Sequence, residues 1–118
     1  MPGKLVHFEL PAKDAARARE FWTGVFGWTF ADPMGAEYWM TRTGEEQGGA
    51  VYSPEGEASG LLAYFDTDNI EVTIEQVRAG GGTANDRQPI PHVGWFAHCT
   101  DTEGNRFGVF ESDESVTV

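Results

Sequence analysis

An order of predicted elements that recurs along the chain limits the fold more than any single motif does. Lys4 to Leu10 alternates, with Val6, Phe8 and Leu10 on one face and Leu5, His7 and Glu9 on the other, which predicts a strand. Pro11 ends it, and Asp14 can cap a helix whose apolar residues Ala15, Ala18, Phe21, Trp22, Val25 and Phe26 share one face up to Gly27. Short strands are expected at Trp28 to Ala31, Glu37 to Arg42 and Gly49 to Tyr52. Ser53 to Gly60 has the composition of a linker, and the same order then starts again. Leu61 to Phe65 reads as a strand, and Ile70, Ile74 and Val77 mark a helix closed by Gly80 to Gly82. A weak strand around Thr83 to Asp86 and a loop from Gln88 to His92 lead to a final pair of strands.

A shift of 55 positions lays Asp14 on Asn69, Ala15 on Ile70 and Trp22 on Val77. The chain therefore reads as one domain, residues 1–118, made of two tandem βαβββ units at about 4–53 and 60–112. The expected architecture is α+β, a curved mixed sheet forming a cup with the helices on its outer face. The last hairpin, Gly94 to Thr100 and Arg106 to Glu111, turns through Asp101-Thr102-Glu103-Gly104-Asn105. Gly104 can supply a positive φ there, and Asp101 and Asn105 can bond local backbone.

Charge and cysteine usage narrow the function classes. Nineteen acidic against eight basic residues give a formal charge of −11, which argues against sequence-independent binding to nucleic acid or an anionic membrane. Cys99 is the lone cysteine and reads as a small buried hydrophobe. With no signal-like apolar run in MPGKLVHFELPA, the expected compartment is the cytoplasm. No G-x-S-x-G, phosphate loop, dinucleotide fingerprint or zinc spacing occurs.

The element order, VHFELPAKDAARAREFWTGVFGW near the start and GWFAHCTDTEGNRFGVFE near the end together resemble the vicinal oxygen chelate superfamily. That group comprises glyoxalases, bleomycin-resistance proteins and ring-cleaving dioxygenases, and the chain looks most like its small glyoxalase-like members. Metal-dependent members hold a divalent ion with a His on the first strand and a carboxylate on the last strand of each unit. By that resemblance His7 matches the first ligand, while the other three positions fall on Leu62, near Ala50 and near Gly108. None of these three has a donor atom, so the resemblance implies no family-type metal centre and no cofactor. A rebuilt set could draw on His7, Glu9, His98 and Glu111, although strand parity puts Glu111 opposite Gly108.

The resemblance also turns the His7 face toward the cleft, where His7 would act as a base or hydrogen-bonder with Glu9 beside it. The bland alternative is a strand histidine satisfied by Glu9 or backbone. Trp28, Tyr52, Tyr64, Trp95, His98, Arg106 and Phe110 complete the expected ligand-binding set, as an aromatic wall with a few polar tips. Tyr38 and Trp39 cannot both face the cleft. The loop Pro89 to Gly94 could be a lid bearing His92 or a rigid turn. The expected function is sequestration or presentation of an aromatic or hydrophobic small molecule by a homodimer. The alternatives are a lyase, isomerase or dioxygenase-like enzyme with a rebuilt metal site or His7 as base, and a subunit with an interaction role alone.

Overall fold

The computed structural model describes residues 3–45, 47–56 and 60–117, so the centre of the expected linker, 57–59, lies outside the described residues. Among the described residues the chain forms two helices and eight strands in an α+β fold. They divide into two compact units, one within Val6–Leu62 and the other within Ala63–Val118 joined by the chain start up to Leu5. No helix among the described residues is long and apolar enough to cross a membrane.

In the first unit, β1 (Leu5–Pro11) leads into α1 (Ala15–Phe26), β2 (Tyr38–Arg42) and β3 (Gly48–Tyr52). β3 is the middle strand, parallel to β1 and antiparallel to β2. Asp14 caps α1 by accepting from the Arg17 N–H, and Gly27 ends it in the left-handed conformation at φ 73°. The Arg19 guanidinium lies 3.8 Å over the Trp39 ring, which fixes Trp39 on the α1 side of the sheet. Register and alternation then put Phe8, Gly49 and Thr41 on the α1 side, and His7, Glu9, Tyr38, Met40, Ala50 and Tyr52 on the opposite face.

The strand expected at Trp28 to Ala31 contracts to one bridge between Ala31 and Met40. Two packing choices compete with it. Trp28 stacks on Trp22 at 4.9 Å, and Asp32 takes the Ala36 and Glu37 N–H groups into a tight turn.

In the second unit, β4 (Leu62–Asp66) is followed by α2 (Ile70–Ala79), β5 (Thr83–Ala84), β6 (Gln88–Ile90), β7 (Gly94–Thr100) and β8 (Arg106–Ser112). β8 runs parallel to β4 and antiparallel to β7, whose other side pairs with β5 and β6. The stretch expected as a loop at Gln88 to His92 is thus largely strand. Pro89 is tolerated because β6 is short and has its pairing with β7 alone among the described strands. The turn that follows is tied down by bonds from the His92 N–H to the Val116 carbonyl and from the Val93 N–H to the Ile90 carbonyl.

The core of this unit is Ile70 and Ile74 of α2 against Ala97, Cys99 and Val109. Odd-numbered residues of β7 and β8 therefore face α2. Even-numbered ones, including Phe96, His98, Arg106, Gly108 and Phe110, face away.

The repeat inferred from sequence is present in the pairing. Glu9 partners Ala50 in the first unit, and Tyr64, at the 55-residue offset, partners Gly108 in the second.

Candidate functional site

The polar centre of the first unit is a three-membered hydrogen-bond chain on the sheet face away from α1. His7 and Glu9 stand two residues apart on β1, so their side chains project to the same side. Tyr38, the first residue of β2, reaches between them: its hydroxyl donates to Glu9 Oε2 at 2.7 Å and stands 2.6 Å from His7 Nε2. A phenol has one proton, and here it goes to the carboxylate. The hydrogen between Tyr38 and His7 must then come from His7, which places it on Nε2 and leaves Nδ1 as the acceptor nitrogen of the neutral ring.

Burial holds the His7 pKa below its ordinary value, and the Glu9 charge opposes the shift without reversing it. At neutral pH the ring is neutral. Around this chain the same face carries the Tyr52 ring, 5.9 Å from Tyr38, together with Met40 and Ala50.

Sequence reasoning paired His7 with Glu9 and missed the residue that joins them. The missing signal was parity in β2. Trp39 had to take one face, and an arginine in α1 holds it there, so Tyr38 takes the other.

The second unit carries a separate pair. Tyr64 Oη and His98 Nε2 are 2.9 Å apart, and Phe96 meets the His98 ring edge-on at 5.5 Å. Tyr64 is buried at 5% exposure, and its ring covers Gly108 so closely that a Cβ built there would overlap it. Arg106 and Phe110 lie on this face by parity. Trp95 lies on the other: it packs against the α2 core, with the Arg87 guanidinium 3.7 Å over its ring. Trp28 likewise packs with Trp22 and Phe8 on the α1 side. The structure therefore brings His7, Glu9 and Tyr52 together with Tyr38, and Tyr64 with His98, while Trp28 and Trp95 stand on helix faces.

Of the four positions that the resemblance assigns to metal ligands, three carry side chains without a donor atom. Leu62, Ala50 and Gly108 offer no ligand atom, and the space a side chain at 108 would need is filled by the Tyr64 ring. The hydrogen bond to Tyr38 engages the Nε2 of His7. The substitute set is not assembled either. Glu111 points to the α2 side, where its Oε1 accepts the Ile70 N–H at 2.8 Å, and His98 is on the opposite face of the same strand pair. Among the described residues no group of three His, Cys, Asp or Glu side chains could hold a metal.

Residues 4–44 match the family model of the bleomycin resistance protein-like N-terminal domain. A glyoxylase-like domain-containing protein of Didymella fabae is 32% identical over 91% of this chain and 92% of its own length. The anthracycline biosynthesis protein DnrV of Streptomyces peucetius is 28% identical over 92% of this chain, which spans only 47% of that relative's length. In fold, methylmalonyl-CoA epimerase from Mycobacterium tuberculosis superposes with a TM-score of 0.72 at 14% identity, covering 94% of this chain and 88% of that one. With the repeated βα unit in both sequence and pairing, these likenesses show that the chain belongs to the glyoxalase-like proteins of the vicinal oxygen chelate superfamily.

Proposed function

We propose that this protein binds a small aromatic or otherwise hydrophobic molecule without a metal ion, anchoring the ligand's polar group on the His7–Tyr38–Glu9 chain. The observation that carries the reading is that chain itself, a connected donor and acceptor set beside Tyr52, Met40 and Ala50. A mostly apolar surface with a few fixed polar tips is how proteins hold flat organic molecules. The positions where metal-dependent relatives place their other ligands support a metal-free mode, since Leu62, Ala50 and Gly108 carry no donor. The name of DnrV connects that relative with anthracycline biosynthesis, and anthracyclines are flat polycyclic aromatics of the class this surface would take.

A second reading makes the protein an enzyme with His7 as general base. The lowered pKa of His7 favours it, because a ring kept neutral by burial is in the protonation state a general base needs.

A thermal-shift panel of aromatic metabolites and anthracyclines, run in chelator, tests the binding reading. A ligand at 100 times its Kd should stabilise the wild type by about 2.7 kcal/mol. The shift should shrink in Tyr38→Phe and His7→Ala. Shifts that appear only when a divalent ion is supplied would overturn it. Chemical change of the bound compound, lost in His7→Ala, would promote the enzyme reading.

A further inference from the structure

We propose that the outer stripe of α1 is a self-association surface that receives the same stripe of a second copy of this chain, antiparallel, with Phe21 on the two-fold axis. α1 has no buried residue, and its large apolar side chains are strongly exposed: Phe21 at 59%, Val25 at 56% and Phe26 at 61%. Trp22 and Phe26 turn toward Trp28, on which both stack. Phe21 and Val25 fall on a different stripe with Arg17 and Gly24, at spacings of i, i+4, i+7 and i+8.

Glycine inside a helix costs about 1 kcal/mol against alanine. Nothing in the chain requires it here, since a Cβ on Gly24 would meet no atom within 4 Å. Close approach of another backbone gives that glycine a purpose.

The stripe is self-complementary about Phe21. In an antiparallel crossing centred there, Phe21 meets Phe21 of the second copy, Ala18 meets Gly24, and Arg17 meets Val25. Small residues thus face small ones on either side of the central ring, as an isologous contact demands.

Charge supports the same occupant. The chain carries −11 overall, yet on and just before α1 Lys13, Arg17 and Arg19 outnumber Asp14 and Glu20, so this segment escapes the acidic excess. Its last turn has no basic residue to meet the negative end of the helix dipole. The second copy's Arg17 arrives at that end. Elsewhere the acidic excess would set two copies against each other.

Sedimentation of the full chain across the micromolar range tests this. The wild type should dimerise, and Phe21→Glu, which sets two carboxylates on the axis, should raise the dimer dissociation constant at least about tenfold. Val25→Arg should do the same by facing Arg17. Adding Arg17→Glu to Val25→Arg should restore the dimer through two opposite-charge pairs. Phe21, Val25 and Arg17 are all exposed, so circular dichroism should show each variant folded. A wild type that stays monomeric, or a dimer indifferent to Phe21→Glu, would overturn the proposal. Failure of the double variant to recover would overturn the antiparallel register.

Discussion

His7 and Tyr38 are 31 residues apart in sequence and 2.6 Å apart at Nε2 and Oη, and the hydroxyl's own proton is directed to Glu9. The histidine is thereby fixed in one tautomer by a residue on a different strand. Tyr38→Phe removes the joint and both of its part-buried hydrogen bonds. It should lower stability by about 1–3 kcal/mol in urea denaturation. The slowly exchanging Nε2 proton of His7 in nitrogen-edited NMR should vanish with it.

The same burial makes folding pH-dependent. The His7 pKa lies below its ordinary value in the folded chain, so the unfolded chain binds the proton first as pH falls. The contribution is complete above about pH 6.5, the unfolded value, and is lost as pH falls toward the lowered one. Denaturant midpoints measured from pH 7.5 downward should decline in this window, and His7→Gln should flatten that part of the curve. Asp101 and Asp113 also have lowered pKa values, Asp101 chiefly through the Asn105 side chain and Asp113 through that of Ser115. Their window opens only as pH falls to the ordinary aspartate value and runs down to the lowered ones, so the two slopes separate.

Two glycines rank differently by what stands over them. At Gly108 the obstacle to a Cβ is the Tyr64 ring, which can tilt; at Gly94 it is the Glu111 carbonyl, which belongs to the paired strand. Gly108→Ala should cost about 1–3 kcal/mol, and Gly94→Ala more, read from melting temperatures and denaturant midpoints. Gly108→Glu restores a carboxylate at the position metal-dependent relatives use. It should still fail to bind divalent ions tightly by calorimetry, because Leu62 and Ala50 remain without donors.

Glu111 works at a helix end. Its Oε1 accepts the Ile70 N–H, adding to the Asn69 cap that accepts from Val72. Glu111→Ala should destabilise by about 1–2 kcal/mol and raise amide exchange in the first turn of α2.

The helices were legible because their signals are local. Asp14 and Gly27 bound α1, and Asn69 caps α2, by bonds that span a few residues. The hairpin turn was legible for the same reason: Asp101 accepts the Glu103 and Asn105 N–H groups, and Gly104 takes φ 85°. The 55-residue offset survived because it rests on element order, and β4–β8 pairing repeats β1–β3 pairing.

What escaped depends on partners distant in sequence. Tyr38 joins His7 to Glu9 only because Arg19 draws Trp39 to the α1 side. Trp95 shares a hairpin with Phe110 yet faces the other way, an outcome set by the core around Ile70 and Ile74. The short β6 was hidden by Pro89, whose missing N–H weakens any propensity signal for a strand.

Metal-free recognition through Tyr38 is the central claim, and calorimetric titration of the best compound from the thermal-shift panel tests it most directly. In chelator, the wild type should bind one compound per chain with unchanged affinity after a divalent ion is added. Tyr38→Phe should weaken that binding by about tenfold, the loss of one hydrogen bond of about 1.4 kcal/mol. Binding that needs the ion, or binding that Tyr38→Phe leaves untouched, would contradict the account.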